Sequence, residues 1–264
     1  MYAAERLAKI RRIIRDKKRI DVATLSKLLA VSEVTIRRDL VKLENEGYII
    51  KTYGGAVLQE LVDENPRNGL TPGVSLDDDP YLAEKEQIGK IAANLVEDYQ
   101  IIFLGPGTTC YQIAVNLIQK KNLTIVTNNL YVISLLQKAP AIKVIAVGGE
   151  INYARNCLVG PIAQDCLKHL HTNISFVSVD GINLDRGYTL NDFDVIGIIK
   201  AIKLNSDEMV LAADYSKFDK IALTSIGDLT YFKKVITNSR IPAEYKNYFF
   251  ENCIGLYTTM EIEA

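Results

Sequence analysis

Val31-Ser32-Glu33-Val34-Thr35-Ile36-Arg37-Arg38-Asp39-Leu40 decides how the N-terminal part of this chain folds. Ser32 is a favoured N-cap, because its hydroxyl can accept from the open N–H groups of a first helical turn. Ile36, Leu40 and Leu43 follow at helical spacing, so one face of this helix is apolar and turns inward. Thr35, Arg38 and Lys42 share a second stripe, with Arg37 beside it. A capped helix with hydroxyls at its start and arginines one turn later suits a DNA major groove, where arginine pairs bidentately with guanine. An ordinary solvated basic face has the same composition, so the neighbouring segments have to decide.

Upstream, Leu7, Ile10, Ile13 and Ile14 predict a helix over residues 3–16, and Lys17-Lys18-Arg19 reads as a basic turn. Asp21 or Thr24 can cap a second helix ending at Leu29, with Leu25, Leu28 and Leu29 inward, and Ala30-Val31 is the tight turn. Downstream, Gly47 suits a left-handed helix end. Residues 48–53, Gly54-Gly55 and Ala56-Val57-Leu58 then read as a hairpin. Three helices and this wing predict a winged helix-turn-helix over residues 1–58, with Lys51 and Tyr53 of the wing reaching phosphate or the minor groove.

The charge is split in the same way. Residues 1–53 carry +6 and residues 54–264 carry −7, so the head suits a polyanion and the body does not. Pro66, Pro72, Pro80 and the acid run Asp77-Asp78-Asp79 mark residues 59–80 as a linker. The cysteines (Cys110, Cys157, Cys166, Cys253) lack metal or disulfide spacing and read as reduced and packed, and neither a metal nor a cofactor is expected. No apolar run approaches the roughly 18 residues of a membrane span, and the N-terminus lacks a signal-peptide pattern, so a cytoplasmic protein is expected.

Residues 81–264 alternate apolar runs (101–104, 123–127, 143–147, 174–179, 209–213, 234–237) with helical segments (81–97, 109–119, 130–138, 161–169, 194–205). Such runs suit strands buried on both faces, so a doubly wound, mostly parallel α/β domain is expected. The loops after the strands lie at the carboxyl edge, where such sheets bind ligands. They contain Gly105-Pro106-Gly107-Thr108-Thr109, Asn128, Gly148-Gly149, Asp180 and Asp214. The first suits an anion: glycines admit a close approach and threonines sit at a helix N-terminus. P-loop spacing is absent. Lys85, Lys200 and Lys217 are candidate cations for the same ligand.

The head resembles the DeoR family of bacterial transcriptional regulators through Arg11, Ile13-Ile14, Leu25, Leu28, Val31-Ser32, the run Thr35 to Leu40, Leu43, Gly47 and Tyr53-Gly54-Gly55-Ala56. The body resembles that family's effector domain, itself similar to the ribose-5-phosphate isomerase fold, through Lys85 with Ile88, Gly107-Thr108-Thr109, Thr127-Asn128, Gly148-Gly149, Gly160, Asp180-Gly181, Gly187 with Thr189, Lys200, and Asp214 with Ser216-Lys217. The resemblance implies that Ser32, Thr35, Arg37 and Arg38 contact operator DNA and that a phosphorylated sugar binds the body; Asp39 is expected to orient an arginine or cap locally rather than face phosphate, since like charges repel. Gly105 replaces an acid usual in the family, Asn152 an arginine whose place Arg155 can take, and Ile196 a glutamate. The expected function is a DNA-binding repressor of carbohydrate genes acting as a homo-oligomer, dimer or tetramer. The alternative is a sugar-phosphate isomerase with a DNA-binding appendage.

Overall fold

The computed structural model describes residues 3–17, 19–46, 48–52, 55–58 and 79–258. The chain forms two compact units, residues 1–72 and 73–264. Gly47, Tyr53, Gly54 and the linker up to Asp78 lie outside the described residues, as does the side chain of Lys51.

The first unit runs α1 (Ala3–Lys17), β1 (Arg19–Asp21), α2 (Val22–Leu29), α3 (Glu33–Asn45), β2 (Ile49–Thr52) and β3 (Gly55–Leu58). Asp21 caps α2 by accepting from Thr24 N–H at 2.7 Å. Ala30 then turns the chain in the left-handed region at φ 52°. Ile10, Ile14, Leu25, Ile36, Leu40 and Leu43 close one core, as their spacing requires. The hairpin is wider than the sequence suggested. Arg19, read as the end of a basic turn, instead begins a third antiparallel strand, Arg19–Asp21, in the order β1-β3-β2. A Cβ on Gly55 would stand 2.5 Å from the Ile20 carbonyl oxygen, so only glycine lets β1 pair there. Leu28 is 55% exposed, because Val22 and Leu25 supply the buried stripe of this short helix and Leu28 falls outside it.

Ile36→Ala removes a fully buried side chain from this small core. It is expected to cost about 2–5 kcal/mol, enough to unfold a unit of this size. Amide exchange on the full chain checks this: protection should disappear from α1–α3 and persist in the second unit.

The second unit begins with α4 (Leu82–Asn94), β4 (Ile101–Leu104), α5 (Thr108–Leu117), β5 (Thr124–Thr127), α6 (Leu130–Leu136) and β6 (Lys143–Ala146). A two-stranded ribbon follows, β7 (Glu150–Asn152) and β8 (Cys157–Val159), then α7 (Pro161–Lys168) and β9 (Thr172–Val177). Next come β10 (Gly181–Asn183), β11 (Gly187–Leu190), α8 (Phe193–Lys203), β12 (Ser206–Ala212), β13 (Thr224–Gly227), β14 (Lys234–Ile236), α9 (Ala243–Glu251) and β15 (Gly255–Tyr257). The six expected strands are present within a few residues of their expected ends. They pair in parallel, with β15 as a seventh, in the order β15-β14-β12-β9-β4-β5-β6.

Side-chain alternation along the strands builds a core on each face. Ile102, Leu104, Ile125 and Val210 pack with Ile88, Ile113 and Val132 of α4–α6. Phe103, Val126, Val177 and Leu211 pack with Leu167, Ile198, Ile202 and Phe249 of α7–α9. The ribbon β7-β8 and the antiparallel sheet β10-β11-β13 were not anticipated. Among the cysteines, Cys110 and Cys157 are buried, but Cys253 is exposed, contrary to the packed reading. Among the described residues no helix is long and apolar enough to cross a membrane.

Strand order fixes where a ligand can sit. From β4 the chain proceeds outward through β5 and β6, then returns to the other side of β4 with β9 and proceeds the other way. The reversal leaves a crevice beyond the carboxyl ends of β4 and β9, between helices that leave to opposite faces.

Candidate nucleic-acid interface and ligand site

Ser32 caps α3: its hydroxyl accepts from Thr35 N–H at 3.3 Å and lies 2.9 Å from the Thr35 hydroxyl. Thr35 is half-buried, whereas Arg37, Arg38 and Lys42 are exposed. Arg37 reaches Glu33 one turn back at 3.4 Å, a solvent-exposed pair of small energetic weight. Arg38 makes no ion pair among the described residues. Val34, 70% exposed, joins this outer face beside the arginines.

Asp39 faces the other way. It is buried and receives Arg6 of α1 through Nε (2.5 Å) and Nη2 (3.3 Å). That pair raises the Arg6 pKa above its ordinary value, chiefly through the hydrogen bond to Asp39. Asp39 therefore orients an arginine, as the sequence suggested, but one on α1. It fixes the pose of α3 and keeps a negative charge away from the exposed basic face.

In the second unit the crevice is a cavity of about 280 Å³. Of the candidate effector residues, Lys85, Gly107, Thr108, Thr109, Arg155, Asp180 and Lys217 line it. Gly107 precedes α5 at φ 100°, and among the described residues no side chain caps that helix. The first N–H groups of α5 therefore lack a side-chain acceptor at a positive helix end. Asn129 shapes this loop, donating from Nδ2 to the carbonyls of Gly105 (3.1 Å) and Gly107 (3.0 Å) while its Oδ1 caps α6. Lys85 Nζ donates to the Thr108 hydroxyl at 2.9 Å.

Opposite charges pair across the cavity. Arg155, on the turn of the ribbon, forks onto both oxygens of Asp180: Nη1 donates to Oδ1 at 2.8 Å and Nη2 to Oδ2. Burial pushes the Asp180 carboxyl up, but the Arg155 bonds and charge, the Asn191 N–H and the Lys217 charge outweigh it and hold the pKa below the ordinary range. The Asp180 bond in turn raises the Arg155 pKa. A carboxyl lowered from 3.8 contributes stability above that pH and loses it as pH falls through its folded value. The thermal midpoint of the second unit is therefore expected to drop below about pH 4. Asp180→Asn should lower the midpoint at neutral pH and flatten that acid limb, which calorimetry across pH 2–7 checks.

The other candidates do not line the cavity. Gly105 is a backbone link, donating to the Phe176 carbonyl at 2.9 Å. Asn128 is buried and ties β5 to the ribbon through the Leu158 carbonyl at 2.8 Å. Gly148 and Gly149 are outside it; Gly149 sits at φ 148°, and a Cβ there would meet the Val159 carbonyl oxygen at 2.5 Å. Lys200 is exposed on α8. Asp214 stands behind Lys85: its Oδ1 accepts from Ser216 N–H at 3.0 Å and its Oδ2 lies 3.9 Å from Lys85 Nζ.

Sequence reasoning missed Asp79, Tyr81 and Tyr131, which also line the cavity. Asp79, read as the end of the acidic linker, is 7% exposed, and its Oδ2 accepts from Lys85 Nζ (2.5 Å) and the Thr108 hydroxyl (2.8 Å). Burial raises its pKa, and these bonds with that of Tyr81 N–H bring it below the ordinary value. An Asp-Pro pair just ahead of a helix is the one local signal that marks it.

Comparison with known proteins agrees with this division. Residues 6–61 match the DeoR-like helix-turn-helix domain and residues 81–239 the DeoR C-terminal sensor domain. An uncharacterised HTH-type transcriptional regulator of Haemophilus influenzae is 31% identical, over 97% of this chain and 98% of its own. The glycerol-3-phosphate regulon repressor of Escherichia coli K12 is 26% identical, over 92% and 94%. Among solved structures, ribose 5-phosphate isomerase A of Methanocaldococcus jannaschii is similar with a TM-score of 0.38 and 18% identity, over 51% of this chain and 53% of its own. With a helix-turn-helix whose basic helix face is open to solvent, a sensor domain and full-length relatives of one kind, the chain belongs to the DeoR family and is a DNA-binding transcriptional regulator.

Proposed function

We propose that this regulator represses carbohydrate genes and alters its hold on operator DNA when a phosphorylated sugar enters the cavity of the second unit. The seat formed by Lys85, Thr108 and the uncapped N-terminus of α5 carries this reading. A helix N-terminus supplies N–H donors and a positive dipole end, a hydroxyl and an ammonium complete the coordination, and a phosphoryl group uses all of them. The similar glycerol-3-phosphate regulon repressor is consistent with a phosphorylated polyol as the class of ligand. Arg155, Asp180 and Lys217 supply donors and acceptors for sugar hydroxyls. Ser32, Thr35, Arg37, Arg38 and Lys42, with Lys51 and Tyr53 from the wing, form the operator surface in this reading. One head makes few base contacts, so a homo-oligomer presents two or more heads to spaced half-sites. The protein then works in the cytoplasm, where its DNA is.

Regulation without turnover fits the state of the two carboxylates that line the cavity. Isomerisation needs a carboxylate free to take a proton near neutral pH. Asp79 and Asp180 are each bound by a cation and held acidic. A thermal-shift screen of the full chain against sugar phosphates and their unphosphorylated parents tests the reading. Stabilisation by phosphorylated members alone is expected. Equal shifts by both sets, or shifts by neither, refute the phosphate seat. Robust isomerisation of a stabilising compound would refute the assignment as a pure regulator.

A further inference from the structure

Asp79 makes two kinds of bond. Its Oδ1 accepts from Tyr81 N–H at 3.0 Å and its carbonyl from Leu82 N–H at 3.1 Å. These belong to the turn into α4. Its Oδ2 instead takes the two side-chain donors of the anion seat, Lys85 Nζ at 2.5 Å and the Thr108 hydroxyl at 2.8 Å, in a buried position. Asp214 already stands 3.9 Å from the same ammonium, and its Oδ2 has no hydrogen-bond partner among the described residues. One cation thus faces two carboxylates. A further anion cannot join this group without placing three negative charges around Lys85. With Asp79 withdrawn, the seat offers Lys85, Thr108 and the first N–H groups of α5 against Asp214 alone.

We infer that Asp79 competes with the anionic group of the effector for Lys85 and Thr108, and that this competition makes the pocket select a phosphoryl group over a carboxylate. The inference rests on the anion seat proposed above. A ligand carboxylate brings one charge and two oxygens, which is what Asp79 brings already, and Asp79 is tethered beside its partners at high effective concentration. A phosphoryl group carries about −1.5 to −2 at pH 7 and three strong acceptor oxygens, so it can satisfy Lys85, Thr108 and the helix N–H groups together. Its binding frees Asp79 and loosens the turn from Asp79 into α4.

The test uses calorimetric titrations of the full chain with inorganic phosphate and with acetate. Asp79→Asn keeps the oxygen that accepts from Tyr81 N–H and removes the charge. It is expected to bind phosphate about tenfold tighter than wild type, as when a competing state filling nine-tenths of the population is removed, and to gain measurable acetate binding. Thr108→Val should weaken phosphate binding in both backgrounds. Equal or weaker phosphate affinity in Asp79→Asn overturns the competition; if Thr108→Val still weakens binding, the anion seat stands without it. Phosphate binding indifferent to both substitutions removes the seat and the competition together. A readout on the unaltered protein guards against misfolding of the variant. Saturating phosphate should speed exchange of the Tyr81 amide, and unchanged or slower exchange overturns the displacement of Asp79.

Discussion

Replacing Arg38 by alanine is expected to weaken specific operator binding by roughly 1–3 kcal/mol per head, or about 5- to 150-fold. Arg38 is exposed on α3 and makes no ion pair among the described residues, so no internal partner has to be given up when it meets DNA. Arg37 should lose less, since part of its orientation comes from Glu33 at 3.4 Å. In a dimer each loss counts twice. Gel-shift titration at fixed salt measures it, and unchanged affinity in both variants would sink the assignment of α3 as the reading helix. Salt dependence separates the roles: an arginine on a base edge relaxes preference at one position, whereas one on phosphate weakens all sequences and lowers the salt slope by about one. Lys42→Ala should follow the second pattern.

The effect depends on α3 being held rigidly. Asp39 lies between the two residues the sequence makes conspicuous, Arg38 and Leu40, and a carboxylate there looks out of place on a DNA-reading helix. Its burial against Arg6 explains it: the charge is spent inside the unit, where it locks α3 to α1. Arg6→Leu leaves that carboxylate buried without its cation, so losses of stability and of DNA binding should appear together. Arg38→Ala should separate them.

What could be read from residues alone follows physical length scales. α3 was legible because its apolar period and its cap agree. The central strands were legible because β-branched and aromatic runs four or more residues long admit few other uses. β1, β13 and β15 were not, since each spans only three or four residues and forms through partners distant in sequence; the hairpins β7-β8 and β10-β11 were not, since strands of three or four residues leave too little alternation to read. Gly55 and Gly149 show that dependence: each is dictated by a carbonyl from another strand, Ile20 and Val159. The same reasoning divides the site. Thr108, Thr109 and Gly107 were legible because a glycine loop entering a helix has local anion chemistry. Asp79 was hidden in an acid run, where Asp77 and Asp78 have the same chemistry, and only the packing of α4 against α5 brings it to Lys85 and Thr108.

Thr108→Leu is expected to abolish the response to effector while leaving operator affinity without effector unchanged. Thr108 is the first residue of α5, and its hydroxyl both receives Lys85 and serves Asp79. Leucine removes a hydrogen bond to a charged group, worth about 1.5–3 kcal/mol, and fills the space that a phosphoryl oxygen would take. Effector affinity should therefore fall by at least about tenfold and, with steric blockage added, below detection. The head lies in a separate compact unit, and Thr108 is half-buried at a cavity wall, so neither the DNA surface nor either core is touched. A reporter fused to the operator should then give constant output whether or not the sugar is supplied, and purified protein should bind operator like wild type. A ligand can move operator affinity only through unequal binding to two arrangements of the protein, so a variant that cannot bind it keeps one arrangement. Asp79→Asn should do the opposite, responding at lower effector concentration. Opposite shifts from two residues that share one hydrogen bond are hard to obtain from general destabilisation. A Thr108→Leu protein that still responds would show that the effector enters the cavity without using the N-terminus of α5.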